Sequence, residues 1–346
     1  MQAAIYTQTG TTDVLRIVER DPAEPGPGEV RVKVIRSAVN PTDWKSRSSS
    51  TLAFPEVVPN QDGSGIIDAV GDGVLDVKVG DRVWVILAAH QRPTGTAQEF
   101  TVLPADRVAL LPDNASFDLG ADLGVPAITA HRALTTSEDG PSRLAPEALA
   151  GRTVLVAGGA GAVGNAAIQL ARWAGATVVA TVSSEEKARL AAAAGAHEVI
   201  NHRQGDLVER LRETAPGGFD IVVEVAPAVN LQADLEIIKP RGTIAIYANE
   251  GGDTVTLPVR STFTTNARLQ WILLYTVGQE ALVNAVVDIN RAVADGAFKV
   301  GQEHGLPLHH YALTDIAAAH QAVEDRVVGK VLLDVADPQS AVAAGS

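Results

Sequence analysis

The chain has 346 residues, 46% of them hydrophobic and 20% charged, which is ample for a sizeable interior and excludes disorder as a whole. Its 41 acidic and 28 basic residues leave a net charge of −13, so the long-range field repels polyanions and acidic membranes, and any anionic partner has to be held by local groups. No cysteine is present, which rules out disulfides and thiolate zinc sites. No basic segment followed by an apolar core opens the chain and no window has the length of a membrane span, so a cytosolic location is the default.

Length favours two domains. Residues 1–124 carry short β-type runs with turn punctuation. Glu29 to Arg36 alternates charged and apolar side chains after the turn cluster Pro22, Pro25, Gly26, Pro27 and Gly28, as a strand with one wet face does. Further strands are expected at Gly65 to Val70, Arg82 to Ile86 and Glu99 to Val102, giving an antiparallel, barrel-like unit. From about Gly124 helix and strand alternate. Thr153 to Ala157, Val178 to Thr181, Glu198 to Ile200, Phe219 to Val223 and Thr243 to Tyr247 read as strands, separated by helices at Glu185 to Ala194, Asp206 to Thr214 and Leu231 to Ile238. That order implies a doubly wound parallel sheet, completed by Leu269 to Tyr275 and a helix near Glu280 to Val293. The expected domains are 1–124, a nucleotide-binding domain at 125–305, and a return segment, 306–346. This last part has a helix from Thr314 to Glu324, a strand from Lys330 to Asp334 and a frayed tail from Asp337.

The chemistry is densest after the first strand of the second domain. Gly158 is followed by Gly159, Gly161 and Gly164 at G-x-G-x-x-G spacing between a strand and an apolar-periodic helix. Gly159 permits the tight turn, Gly161 lets backbone amides approach a pyrophosphate, and Gly164 lets the helix pack against the strand. About 20 residues on, an NAD enzyme places a carboxylate on the ribose; this chain has Thr181-Val182-Ser183-Ser184, with Lys187 a helical turn later and His202-Arg203 after the next strand. Hydroxyls and positive charge there suit a 2′-phosphate, which favours NADPH over NADH, against Glu185 and Glu186 as counterweights and the simpler reading of Ser183 as a helix cap. His197, His202, His309 and His310 sit in no set with metal-ligand spacing, and no G-x-S-x-G elbow is present.

Several stretches together resemble the zinc-independent quinone oxidoreductase (zeta-crystallin-like) branch of the medium-chain dehydrogenase/reductases over nearly the whole chain. They are Asn40-Pro41-Thr42-Asp43-Trp44, Asp62-Gly63-Ser64-Gly65, Val79 to Val83, Gly124 to Ala130, the glycine stretch, Gly195 to Arg203 and Gly329-Lys330-Val331. The resemblance implies a GroES-like catalytic domain, built from both ends of the chain around a Rossmann domain, and reduction by NADPH of quinones or of the activated double bonds of enones and enals. It implies that Gly161, Ala162, Val163 and Gly164 hold the pyrophosphate and that Ser183, Lys187 and His202 take the 2′-phosphate. Asn230 falls at the adenine end, and Ile246 to Asn249, including Tyr247 and Ala248, with Ile272 to Leu274, including Leu273, at the nicotinamide half; Thr129 and Lys330 face the cofactor. A homodimer through the edge strand near Leu269 to Tyr275 follows from the same resemblance.

Where zinc-dependent relatives carry catalytic ligands the chain has Asn40, Gln61 and Asp62, so no metal is expected. Asn40 is the first candidate to hydrogen-bond cofactor or substrate, followed by Asp43 and Lys45; the plainer alternative is that Asn40 and Asp43 organise the turn before Trp44, itself a packing residue. A dedicated acid is unnecessary where a hydroquinone or enolate takes its proton from solvent. The substrate-facing segment Lys45 to Phe54 departs from the form common in relatives. Two other readings stay open: an enoyl-thioester reductase acting on coenzyme A or a carrier protein, and a low-turnover NADPH-binding protein of crystallin or RNA-binding type. The charge balance argues against nucleic acid.

Overall fold

The computed structural model describes residues 1–49 and 51–338. Ser50, inside the expected substrate-facing segment, and residues 339–346 of the expected frayed tail lie outside the described residues.

In chain order the first elements are β1 (Gln2–Ile5), β2 (Arg16–Glu19), β3 (Glu29–Val39), α1 (Pro41–Arg47), β4 (Asp62–Val70), β5 (Arg82–Val85), β6 (Phe100–Pro104), β7 (Val108–Leu110) and α2 (Phe117–Asp122). Then come α3 (Ile128–Leu134), β8 (Thr153–Ala157), α4 (Ala162–Trp173), β9 (Thr177–Val182), α5 (Glu185–Ala193), β10 (Glu198–Asn201), α6 (Leu207–Thr214), β11 (Phe219–Glu224), α7 (Pro227–Ile237), β12 (Ile238–Ile246), α8 (Val259–Thr265), β13 (Arg268–Trp271) and α9 (Gln279–Ala294). The chain finishes with β14 (Leu308–Ala312), α10 (Ile316–Glu324) and β15 (Lys330–Asp334). It divides into two compact units, Met1–Val125 with the chain from Leu308 on, and Pro126–Pro307.

The first unit is built on β3. The alternation seen in the sequence turns Val30, Val32 and Val34 inward, where Val30 and Val32 pack with Ile67, Val83, Val85 and Leu103. One edge of β3 pairs with β4 along its length; the other is divided, Glu29–Lys33 pairing with β6 and Arg36–Val39 with β15. The sheet order is β14-β15-β3-β4-β5-β7, with β1 and β2 as a separate ribbon. The barrel expected from the sequence therefore does not close among the described residues: the ladder branches at β3, and β14 and β7 end it without meeting. β14 and β15 run parallel, a departure from the antiparallel rule of this unit.

The second unit carries a six-stranded sheet, β10-β9-β8-β11-β12-β13, in which every pair is parallel. Its apolar runs, Leu155 and Val179 with Phe219, Val222, Ile244 and Ile246, fill one continuous core. The winding reverses at β8, and ligands of such sheets bind outside the carboxyl ends of the strands at that point. α7 begins four residues before the expected Leu231 because Pro227 supplies the first helical position, and β13 is shorter than expected because Leu274–Thr276 curls into a 3-10 turn. Buried Asp288 of α9 binds His131 of α3 at 2.8 Å, Arg143 through three bonds and the Leu144 amide, stapling the loop before β8 to two helices.

Candidate functional site

At the switch point β8 ends in a glycine turn that enters α4. Gly158 has φ +71°, so it is this residue, rather than Gly159, that makes the tight turn. Gly159 is required for packing, since a Cβ there would meet Ala180 of β9 at 2.8 Å, and at Gly164 a Cβ would collide with the Gly158 carbonyl. Gly161, the N-cap of α4, differs: its Cβ would meet nothing nearer than 3.5 Å. The protein itself does not need a glycine there, and the space it leaves open lies over the first-turn amides of Ala162, Val163 and Gly164, which have no intrahelical acceptors. The arrangement suits a pyrophosphate.

Ser183, Lys187 and His202 converge at the ends of β9 and β10. Lys187 Nζ donates to Ser183 Oγ at 3.2 Å, and the His202 amide bonds the Val182 carbonyl at 2.9 Å. Burial, then Arg203 and Lys187, hold the His202 imidazole below its usual range, so it offers a neutral donor and acceptor beside two cations. The helix cap is Ser184, whose hydroxyl accepts the Lys187 amide at 3.3 Å; Ser183 is free of that duty, contrary to the capping alternative. Among the histidines weighed as ligands, His197 Nδ1 accepts the Val178 amide, His309 bonds the Val328 carbonyl and His310 the Asp334 carboxylate.

The remaining nucleotide-side candidates are spread over strand ends. Asn230 of α7 spends its amide on Glu224 Oε1 at 3.0 Å. Glu224, which closes β11, also takes the Ala226 amide, and burial pushes its carboxyl up. Asp234 one turn beyond Asn230 is driven well above the ordinary range by burial and by Glu224. No motif or spacing marks this pair. Tyr247 and Ala248 follow β12 half-buried, and burial beside Glu224 and Glu250 raises the Tyr247 phenol. Leu273 is 58% exposed between buried Ile272 and Leu274, and Thr129 is buried in α3.

In the first unit Asn40 and Asp43 open α1, where Pro41 is the first helical residue. Asp43 Oδ2 accepts the Asn40 amide at 2.7 Å, the return half of a capping box, and Oδ1 accepts the Gln61 amide at 3.1 Å. Asn40 Oδ1 receives Lys330 Nζ at 2.6 Å and its Nδ2 donates to Asp62 Oδ2 at 2.7 Å, so the Asn40 amide is clamped by its neighbours. Lys330 is 2% exposed and stands 4.0 Å from Asp62 and 3.7 Å from Asp122. Asp62 also receives the Val125 amide, in a space that a Cβ on Gly124 would fill. Burial raises Asp62 to about 6, with Lys330 pulling the other way, and Asp122 to about 7. Burial takes Asp43 to about 8. Lys45 is not part of this cluster: it is exposed, its ammonium 5.9 Å from the Trp44 ring centre.

Beside the cluster lies a cavity of about 400 Å³, whose walls include Tyr6, Asp43, Phe54, Val57, Gln61 and Arg92. Sequence reasoning singled out neither Tyr6 nor Arg92.

Residues 26–113 match the family described as alcohol dehydrogenase GroES-like domain, and residues 162–289 the one described as zinc-binding dehydrogenase. The quinone oxidoreductase of Lama guanicoe is 31% identical over 340 residues, 96% of this chain and 97% of that protein. The chain belongs to the zinc-independent quinone oxidoreductase family of the medium-chain dehydrogenase/reductases. The fold agrees. A mycobacterial quinone oxidoreductase structure superposes with a TM-score of 0.82 at 30% identity, covering 96% of this chain and 99% of the other. The Escherichia coli quinone oxidoreductase complexed with NADPH gives 0.79 at 27%, covering 96% and 100%. In this family member the Asn40, Gln61 and Asp62 positions do not fit zinc. An ammonium stands among the carboxylates, and no three His, Cys, Asp or Glu groups among the described residues are placed to hold a metal.

Proposed function

We propose that this chain is an NADPH-dependent reductase that transfers hydride to a quinone or to the activated double bond of an enone or enal. The observation that carries the reading is the Ser183–Lys187–His202 corner next to the open Gly161 cradle: a pyrophosphate on the α4 amides leaves a 2′-phosphate among a hydroxyl, an ammonium and an imidazole. NADPH supplies the hydride when bound. In the first unit, Lys330 and Asp62 hold the Asn40 amide in one orientation and Asp43 fixes the start of α1, so both act as positioning residues; Lys45, on the exposed side of α1, is a candidate contact for the acceptor. The reduced acceptor takes its proton from solvent.

The test is oxidation of NADPH and NADH with naphthoquinone, 2-cyclohexenone and crotonyl-CoA in parallel. Turnover with the first two and preference for NADPH is expected, and turnover with the thioester alone refutes the assignment. A cytosolic homodimer belongs to the same proposal. It is supported by the acidic, cysteine-free composition and by β13, which ends its sheet with Trp271 54% and Leu273 58% exposed. A monomeric mass by light scattering at micromolar concentration counts against it.

A further inference from the structure

We propose that Tyr6 is the hydrogen-bond donor that seats the acceptor's carbonyl oxygen in the cavity beside α1, and that this cavity selects neutral cyclic carbonyl compounds. The inference rests on the hydride-transfer reading above. Tyr6 follows β1 and its backbone is pinned in both directions to Val57, at 3.0 Å each way, so the ring has a fixed base. The residue is 4% exposed and lines the cavity, and burial with the charges of Asp43 and Arg47 sets the state of its phenol. A phenol at an otherwise apolar position ordinarily uses its hydroxyl, and at a cavity wall a ligand oxygen is an available partner. On the same wall Gln61 has its Oε1 buried without a hydrogen-bond partner among the described residues. Burial and the neighbouring Asp43 raise the phenol to about 12, so it stays a donor throughout the working range.

Neutrality follows from the charges around the cavity, which are already matched. Arg92 binds Glu29 at 3.2 Å, Arg47 binds Glu324 at 2.8 Å, and Asp43 is enclosed between two backbone amides. Both guanidiniums keep a buried Nε without a partner among the described residues, but a carboxylate on the acceptor would have to compete with Glu29 and Glu324 for their charge. Phe54, Val57, Pro59 and Ala89 give apolar walls, and about 400 Å³ is within the range of small-molecule pockets. In the step itself hydride adds to the acceptor, the displaced electron pair moves onto the carbonyl oxygen, and the Tyr6 hydrogen bond stabilises that charge. Solvent then protonates the oxygen, and Tyr6 keeps its proton.

Tyr6→Phe retains the ring and deletes the donor. It should lower kcat/KM for naphthoquinone and 2-cyclohexenone by about tenfold, the worth of one hydrogen bond to developing charge, while the NADPH dissociation constant and thermal midpoint stay at wild-type values. Ala53→Trp, at the exposed rim, should cost the bicyclic quinone more than the monocyclic enone. An unchanged kcat/KM in Tyr6→Phe overturns the assignment, and so does a tenfold preference of the wild type for an α,β-unsaturated carboxylate over its methyl ester. Calorimetric binding of naphthoquinone without cofactor separates the two levels. If the wild type turns over nothing yet binds the quinone several-fold tighter than Tyr6→Phe, the reductase reading fails and the Tyr6 site stands; equal binding by both removes the site.

Discussion

Replacing Lys330 by methionine removes the one ammonium from a pocket in which Lys330, Asp62 and Asp122 are 2%, 0% and 0% exposed. Asp62 and Asp122 lose their cation and Asn40 Oδ1 loses its 2.6 Å donor, while methionine fills much of the volume, so packing changes little. Stripping one partner from a buried ion pair costs about 3–5 kcal/mol. The sign with pH follows from the carboxyls. Burial holds Asp62 at about 6 and Asp122 at about 7 against an ordinary 3.8, so folding takes up protons, and the stability these groups contribute, greatest below pH 4, drains away as pH rises through 6 and 7. Without Lys330 that drain deepens and moves to higher pH. Native-state hydrogen exchange of the β3, β4 and β15 amides isolates the first unit from the second. At pH 8 the variant should exchange between about 100-fold and several thousandfold faster than wild type after correction for intrinsic rates, and clearly less so at pH 5.5. Acceleration below tenfold at pH 8, or the same acceleration at both values, refutes the claim that Lys330 neutralises this pocket. Adding Asp122→Asn to the variant should recover part of the loss at pH 8.

Gly161→Ala should leave the melting temperature within a degree or two of wild type and weaken NADPH binding by tenfold or more in calorimetry, whereas Gly164→Ala, which drives a Cβ into the Gly158 carbonyl, should destabilise the second unit by about 1–3 kcal/mol. Ser183→Asp, by placing a carboxylate at the 2′-phosphate corner, should reduce the NADPH-to-NADH ratio of kcat/KM at least tenfold; an unchanged ratio removes that corner from cofactor choice. Because Glu224 and Asp234 are both raised, their contribution to stability falls as pH climbs, and Asp234→Asn, which cannot ionise, should gain on wild type at pH 8.5 and not at pH 5, read from urea midpoints.

What the sequence revealed was local. The alternation in Glu29 to Arg36 and the apolar runs of the parallel sheet placed strands to within a few residues, because each pattern reports directly on which face is buried. The first turn of α1 was also present in the text: Asn40, Pro41 and Asp43 have the spacing of a capped helix with proline at its first position, a signal that neither the site reading nor the turn reading of these residues used. The chemistry around α1 had no such local signature: Asn40, Asp62 and Lys330 were named through the resemblance, and Asp122 was not named. Asn40, Asp62, Asp122 and Lys330 come from a turn, a strand start, a helix end and the last strand, and lysine and aspartate in those places look like surface residues until the sheet brings them together out of water. Tyr6 was hidden for the same reason: an aromatic after a short strand says nothing of the cavity it faces, which is formed by segments up to 86 residues further along the chain.

The position of β15 in its sheet has a consequence for synthesis. Residues 330–334 lie between β14 and β3, so one edge of the longest strand in the first unit, from Arg36 to Val39, has no partner until the ribosome has reached residue 334. Until then Asp62 and Asp122 also lack Lys330. The nucleotide-side unit is continuous in the chain and complete by Pro307. On the ribosome the order is thus set by connectivity, with Pro126–Pro307 able to finish first while β3 waits, open-edged, for β15.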